Sequence, residues 1–392
     1  MTHCAGAAAA PHGRHENVDA IERLHHDAIV CDLHVDTLQR LAKGESLAGN
    51  GGHLDLPRMR RGGLDLQFFA VWVDPVYLPR REGERDRSYE RANALIDAFE
   101  REMQTHSAAV QPARTAAEAR RIVAAGGIAA ALGIEGGHAI ENDLGKLEAL
   151  YRRGVRYMGL TWNNSLDWAD AAKEETLHGT RHGGLTGFGE QVVRRMNDLG
   201  MIVDLSHAAE STFWHVLRVS RAPVMASHSD AWALTPHFRN LKDDQIRALA
   251  AHGGIIGINF YCAFLDTTFM QRQMQAEEHL KDQVEAIETA HLYDFPTQCT
   301  LARRLLDAEM GPTPVPATRI ADHVLHMVQL VGPDHVALGS DFDGTAAVPD
   351  DMPDVEHLPL VTRLLHQRGL DDNAIRKILG ENVLRFFERV CG

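Results

Sequence analysis

The chain is short of cysteine, of long apolar runs and of positive charge, and each shortage removes a class of protein. Its five cysteines (Cys4, Cys31, Cys262, Cys299, Cys391) are scattered, odd in number and form no C-x-x-C pair. That speaks against a disulfide framework and for reduced thiols, so a cytoplasmic location is expected. The longest apolar stretch, residues 122–134, has 13 residues including glycines, too few to span a bilayer. Residues 1–14 are rich in Ala and His and lack an apolar core of signal-peptide length. No membrane partner is expected. The net charge of −14, from 54 acidic and 40 basic residues, comes without any basic patch interleaved with aromatics, which argues against nucleic acid. No G-x-S-x-G, P-loop or H-E-x-x-H motif is present. The pairs Gly51-Gly52, Gly62-Gly63 and Gly183-Gly184 read as isolated turns without a dinucleotide fingerprint.

What is present is a repeated alternation. At 392 residues and 44% hydrophobic the chain can bury a large core, and α/β barrels of such length exist as one domain. Eight apolar runs, at 28–36, 64–73, 127–135, 155–162, 201–207, 223–229, 254–260 and 335–341, are mostly separated by amphipathic sequence. Near-continuous apolar runs are expected of parallel strands covered on both faces. The separators carry helix punctuation, as where residues 190–199 stop at Gly200. The expectation is a (β/α)₈ barrel of the TIM type spanning 28–392, preceded by a lead segment at 1–27. A doubly wound open sheet is the alternative. Two segments break the rhythm, 75–106 and a charged, helical insertion at 264–316, read as an excursion over the barrel mouth.

Five polar motifs each end one of these runs: His34-Val35-Asp36, Glu135-Gly136-Gly137-His138, Asp204-Leu205-Ser206-His207, Ser227-His228-Ser229-Asp230 and Ser340-Asp341-Phe342-Asp343-Gly344. In a (β/α)₈ barrel the active site gathers at the C-terminal ends of the strands. Charged groups and imidazoles just beyond buried strands are costly unless paired. A pair of divalent metals would satisfy them together. His34 and Asp36 are two apart on a strand and share a face. Glu135 can give one oxygen to each of two metals, and helix capping or a salt bridge is its plainer reading. His207 or His228 alone would be a hydrogen-bonded core histidine; two on successive strand ends shift the reading toward ligands. Asp204 and Ser206 are candidates for orienting the imidazoles, and His138 reads as loop or outer shell. Asp341 can take up and return a proton, with Asp343 competing for that role. Arg239 could grip a substrate carboxylate with its planar fork, or form a surface salt bridge.

With these residues in view, the chain resembles the membrane (renal) dipeptidase family of the amidohydrolase superfamily. The resemblance rests on Gly133-Ile-Glu-Gly-Gly-His138, Asp204-Leu-Ser-His207, Ser227-His-Ser229, Arg239-Asn240, Gly339-Ser-Asp-Phe-Asp-Gly344 and Glu381-Asn-Val-Leu-Arg-Phe-Phe387. It implies two zinc ions: His34 and Asp36 on one, His207 and His228 on the other, Glu135 between them. It implies Asp341 as acid/base and Arg239 on the C-terminal carboxylate of a dipeptide. The activity implied is dipeptide hydrolysis through a hydroxide bridging the zincs. Another amide hydrolase, such as an N-acyl-amino-acid hydrolase, and a non-catalytic metal-containing barrel are the alternatives. Homodimerisation is left open. One position departs from the mammalian pattern: Trp162 follows Leu160-Thr161, where mammalian members carry histidine. An indole N–H donates but does not titrate, so Trp162 is expected to bear on substrate choice.

Overall fold

The computed structural model describes residues 13–81, 83–345 and 347–392. Residues 1–12 of the lead segment, Cys4 among them, lie outside the described residues. Among the described residues nine strands occur in chain order: β1 (Cys31–Val35), β2 (Leu66–Trp72), β3 (Val110–Pro112), β4 (Ile128–Glu135), β5 (Val155–Gly159), β6 (Ile202–Asp204), β7 (Met225–Ala226), β8 (Ile255–Ile258) and β9 (Val336–Leu338). Eight of them follow one another in parallel as β1-β2-β4-β5-β6-β7-β8-β9. The ring is brought almost to closure by a parallel bridge between Val35 and Phe342. There Asp341 N donates to His34 O at 3.1 Å and Asp36 N to Phe342 O at 2.9 Å. This is the expected (β/α)₈ barrel, and the open sheet is set aside.

β4 shows why these runs become strands. Its sequence, IAAALGIE, is buried at every position, as a strand packed on both faces must be. Punctuation delimits the helices. Thr186 accepts from Gly189 N at the start of the helix Gly187–Leu199, and Gly200 ends it at φ 69°.

The strands are shorter than their apolar runs. β7 keeps two residues and β9 three. Side chains take over where the ladder stops. Asp204 accepts from Ser227 N (2.8 Å) and Ser227 Oγ (2.6 Å), tying β6 to β7. Asp32 does the same with Ser340 N (2.8 Å) and Oγ (2.6 Å), tying β1 to the end of β9. β3 was not expected. It pairs Val110–Pro112 with Ile128–Ala130, the half of β4 that precedes its pairing with β5 at Leu132. Three residues ending in proline carry no periodic signal.

One apolar cluster fills the barrel and includes Leu33, Phe68, Tyr157, Ile202, Met225 and Ala337. Phe386 and Phe387 of the helix Asn382–Cys391 belong to the same cluster and pack the barrel from below. Between β8 and β9 the helices Cys262–Leu265, Thr267–His279, Lys281–Ala290 and Phe295–Met310 cover the stretch read as an insertion. Among the described residues the four cysteines are free, and no helix is long and apolar enough to cross a membrane.

Candidate metal centre and substrate cavity

All five predicted ligands converge at one end of the barrel. Glu135 ends β4, and its two oxygens face opposite ways. Oε2 lies 3.4 Å from His34 Nε2; Oε1 lies 2.8 Å from His207 Nε2 and 3.6 Å from His228 Nε2. Asp36 Oδ2 lies 3.4 Å from His34 Nε2 on the first side. A carboxylate with one oxygen toward each group of donors has the form of a bridging ligand.

The imidazoles are oriented from behind. His34 Nδ1 donates to the Tyr157 hydroxyl at 3.0 Å, and that hydroxyl donates to Leu33 O. His228 Nδ1 donates to Ser227 Oγ at 2.7 Å, and Ser227 donates to Asp204. His207 Nδ1 donates to Asn163 Oδ1 at 3.0 Å. These partners place the proton on Nδ1 in all three and turn each Nε2 inward, with a lone pair on each one that carries no second proton. Two such lone pairs, on His207 and His228, stand 3.1 Å apart. His34 Nε2 and Asp36 Oδ1 are buried without a hydrogen-bond partner. Gly344 adds a cradle: a Cβ there would collide with Asp341 Oδ1 and Asp36 Oδ2. Converging lone pairs, buried nitrogen and oxygen atoms without a hydrogen-bond partner, and a pocket kept open by glycine fit divalent cations.

The electrostatics separate His34 from the other two imidazoles: burial works to lower it, but Tyr157, Glu135 and Asp36 hold it well above the ordinary imidazole value. Burial, followed by the charge of Arg239, pushes His207 down to about 3, and burial holds His228 well below the ordinary imidazole value. Both are therefore in the neutral, metal-binding form. Burial works to raise Glu135, but His34 and His207 together hold it well below the usual carboxylate range. Burial and then Glu135 push Asp36 up to about 7. Crowded buried carboxylates of this kind call for cationic partners.

Asp341 and Asp343 are separated by their contacts. Asp343 is occupied by Thr37 Oγ1 (2.6 Å), His53 N (2.8 Å) and Arg40 Nε (3.1 Å). Asp341 lines the cavity above the ligands and accepts from Asn259 Nδ2 at 3.0 Å. Burial pushes it up to about 6. Both sit in left-handed backbone, φ 62° and 65°, as does His207 at 67°. For residues other than glycine that conformation costs about 1–3 kcal/mol each and clusters at functional sites.

The surface salt-bridge reading of Arg239 fails. The residue is 4% exposed. Its guanidinium donates to His228 O (3.1 Å) and Ser229 Oγ (3.4 Å), lies over the Phe264 ring, and leaves Nε without a partner. A buried cation held only by neutral groups can take an anionic ligand. His138 is buried, donates to Val73 O at 2.7 Å and serves the loop.

Two cavities meet at His207. One, about 260 Å³, runs from Asp36, Glu135 and Asp341 past Trp162 to Phe295 and Arg303 of the insertion. The other, about 300 Å³, is lined by Arg239, Ser229 and Trp232. Trp162 stacks toward Trp72 (centroids 5.1 Å) and faces His207 (6.2 Å). Sequence reading missed Tyr157, Asn163 and Asn259 as positioning residues. Gly133, whose Cβ would strike the Tyr157 ring, is a trace of that contact in the sequence.

A parallel barrel with a buried cluster of imidazoles and carboxylates at its strand ends has the form of a TIM-barrel metalloenzyme. Residues 18–391 match the model of the membrane dipeptidase family, peptidase family M19, and the chain belongs to that family. It is 33% identical over 342 residues to dipeptidase verJ of Clonostachys rogersoniana, covering 86% of this chain and 76% of that one. Among solved structures it is similar to the metallopeptidase dipeptidase AC, with 29% identity, TM-score 0.74, and coverage of 93% of this chain and 99% of the other. It is also similar to a metallopeptidase from Rhodobacter sphaeroides liganded with a phosphinate mimic of the dipeptide L-Ala-D-Ala. There the identity is 28% and the TM-score 0.73, over 93% of this chain and 100% of the other.

Proposed function

We propose that the protein hydrolyses dipeptides at a binuclear zinc site held by His34, Asp36, Glu135, His207 and His228. The observation that carries this reading is the Glu135 carboxylate, one oxygen toward His34 and the other toward His207 and His228. Two zinc ions would supply Lewis-acid polarisation of the scissile carbonyl and a water acidified toward neutral pH. Everything else falls to the chain. Arg239 anchors the substrate's C-terminal carboxylate through charge-assisted hydrogen bonds. Asp341 accepts the nucleophile's proton and returns it to the leaving amine. Asn259 holds Asp341 Oδ2 at 3.0 Å and so sets the direction of that carboxylate. Trp162 shapes the wall beside the scissile bond.

Reconstituted protein is expected to hold two divalent ions per chain and to cleave dipeptides, with activity lost to a chelator and restored by zinc. Elemental analysis finding less than one ion per chain would defeat the binuclear reading. Cleavage of N-acyl amino acids in preference to dipeptides would shift it to the wider amide-hydrolase class. Trp162→His is expected to change the ranking of dipeptides by kcat/KM and to leave metal content unchanged. Unchanged ratios with a lower melting temperature would make Trp162 a packing residue.

A further inference from the structure

The extra strand leaves a fork in the barrel wall. With β2 along one edge of β4, β3 and β5 share the other: β3 pairs with Ile128–Ala130 and β5 from Leu132 onward. A cavity of about 260 Å³ opens at this fork, on the outer side of the sheet. Its floor is Ala130 and Leu132, which alternate along β4 with Ala129 and Ala131 of the barrel interior. Phe99 and Met103 of the helix Ser88–Thr105 form an apolar wall. None of its lining residues belongs to the metal centre or to the two cavities that meet at His207.

Two arginines flank the mouth, and only one has its charge matched. Arg153 donates to Asn93 Oδ1 (2.8 Å), Asp97 Oδ1 (2.6 Å) and Glu100 Oε2 (2.9 Å), all on the helix Ser88–Thr105. Arg114 is exposed, and its guanidinium has no ion-pair or hydrogen-bond partner among the described residues. Its backbone is held on both sides: N donates to Glu118 Oε2 and O accepts from Arg156 Nε, each at 2.7 Å. Gly154, at φ 107°, makes room for the side chain, since a Cβ there would stand 3.2 Å from Arg114 Nε. Backbone and contact both favour glycine, and the guanidinium lies against bare backbone at the mouth.

An apolar floor with one unmatched guanidinium at its rim is complementary to a carboxylate on an apolar stem. A cavity of about 150 Å³ holds a benzene ring, so this one has room for a ring with a short chain. We propose that the cavity is a second ligand site, apart from the catalytic one, for a small carboxylate: its phenyl or short alkyl stem lies between β4 and the helix Ser88–Thr105, and its carboxylate pairs with Arg114. The site stands whether or not the protein cleaves dipeptides.

The test is calorimetric titration of the metal-loaded full chain with 3-phenylpropionate and with 3-phenylpropan-1-ol, which has the same stem without the charge. The catalytic cavity also attracts carboxylates, so each titration is made on wild type and on Arg239→Met. The binding event that survives Arg239→Met reports the new site. There the acid is expected to bind about 2–10-fold more tightly than the alcohol, the range of a partly exposed charge-assisted contact. Arg114→Gln, an exposed change outside the catalytic machinery, is expected to remove that preference and to leave the melting temperature unchanged. Ala130→Leu, which fills the floor, is expected to abolish binding of both probes at this site; if it does not fold, Arg114→Gln decides alone. L-Phenylalanine adds an ammonium beside the two guanidinia. Weaker binding than 3-phenylpropionate supports a free acid as the ligand, and equal affinity overturns that source in favour of an amino acid. No event surviving Arg239→Met, or an acid preference untouched by Arg114→Gln, overturns the proposal.

Discussion

Asp341→Asn is expected to lower turnover by about 10²–10⁴-fold while both metals stay bound. Asparagine keeps the shape and an oxygen for the Asn259 amide, which bonds Asp341 Oδ2 at 3.0 Å. What it loses is the ability to take a proton. Asp341 also has an oxygen grouped with His34 and Asp36 as a candidate ligand set, so the metal count is part of the measurement. Loss of a metal together with activity would make Asp341 a ligand instead of the proton carrier. Asp343→Asn is the matched control. Asp343 is engaged by Thr37, His53 and Arg40, so its loss is expected to appear in stability, at about 1.5–3 kcal/mol for a hydrogen bond to a charged group, with kcat little changed. Near-normal kcat in Asp341→Asn would exchange the two assignments.

Arg239→Met is expected to reduce kcat/KM for free-acid dipeptides by about 10–100-fold more than for the corresponding C-terminal amides, the range that a charge-assisted hydrogen bond commands. The basis is the isolation of the guanidinium. It is buried beside His228 O and Ser229 Oγ, its Nε is unpartnered, and burial pushes its pKa down to about 10. Even so lowered, it remains a cation at neutral pH. Methionine matches the length of the stem and keeps contact with Phe264 without the charge. Equal losses on acids and amides would mean that Arg239 acts by holding the loop after β7. In that case the cavity it lines would no longer be assigned to the substrate's carboxyl end.

How the insertion bears on these experiments follows from its position. Phe295, Cys299 and Arg303 line the same cavity as Asp36 and Asp341, so the helix Phe295–Met310 forms part of the substrate enclosure. The charged composition of 264–316 reads as a solvated decoration as readily as a roof. Only the few residues facing inward decide between the two, and their spacing is too sparse to stand out.

The sequence by itself determined the order of the strands and the candidate donors that follow them. Apolar runs on both faces favour parallel strands, and a costly group at the end of such a run needs a partner, so His34, Asp36, Glu135, His207 and His228 stood out as candidates, with the full ligand set implied by the family resemblance. The helix stop at Gly200 was equally local. Tertiary structure alone decided what each group does with its second valence. Whether Arg239 is a surface ion pair or a buried, unmatched cation depends on the loop after β7 folding back beneath Phe264. Asp341 and Asp343 are two residues apart in the same turn, and only the closure of β9 onto β1 brings Thr37 and Arg40 to one and not the other. The tautomer of His34 comes from Tyr157, 123 residues away in the chain, and that of His228 from its neighbour Ser227, whose hydroxyl is turned by Asp204 of β6. Those contacts are fixed by register and barrel closure, which act between strands, whereas the periodicity that marks a strand acts along it.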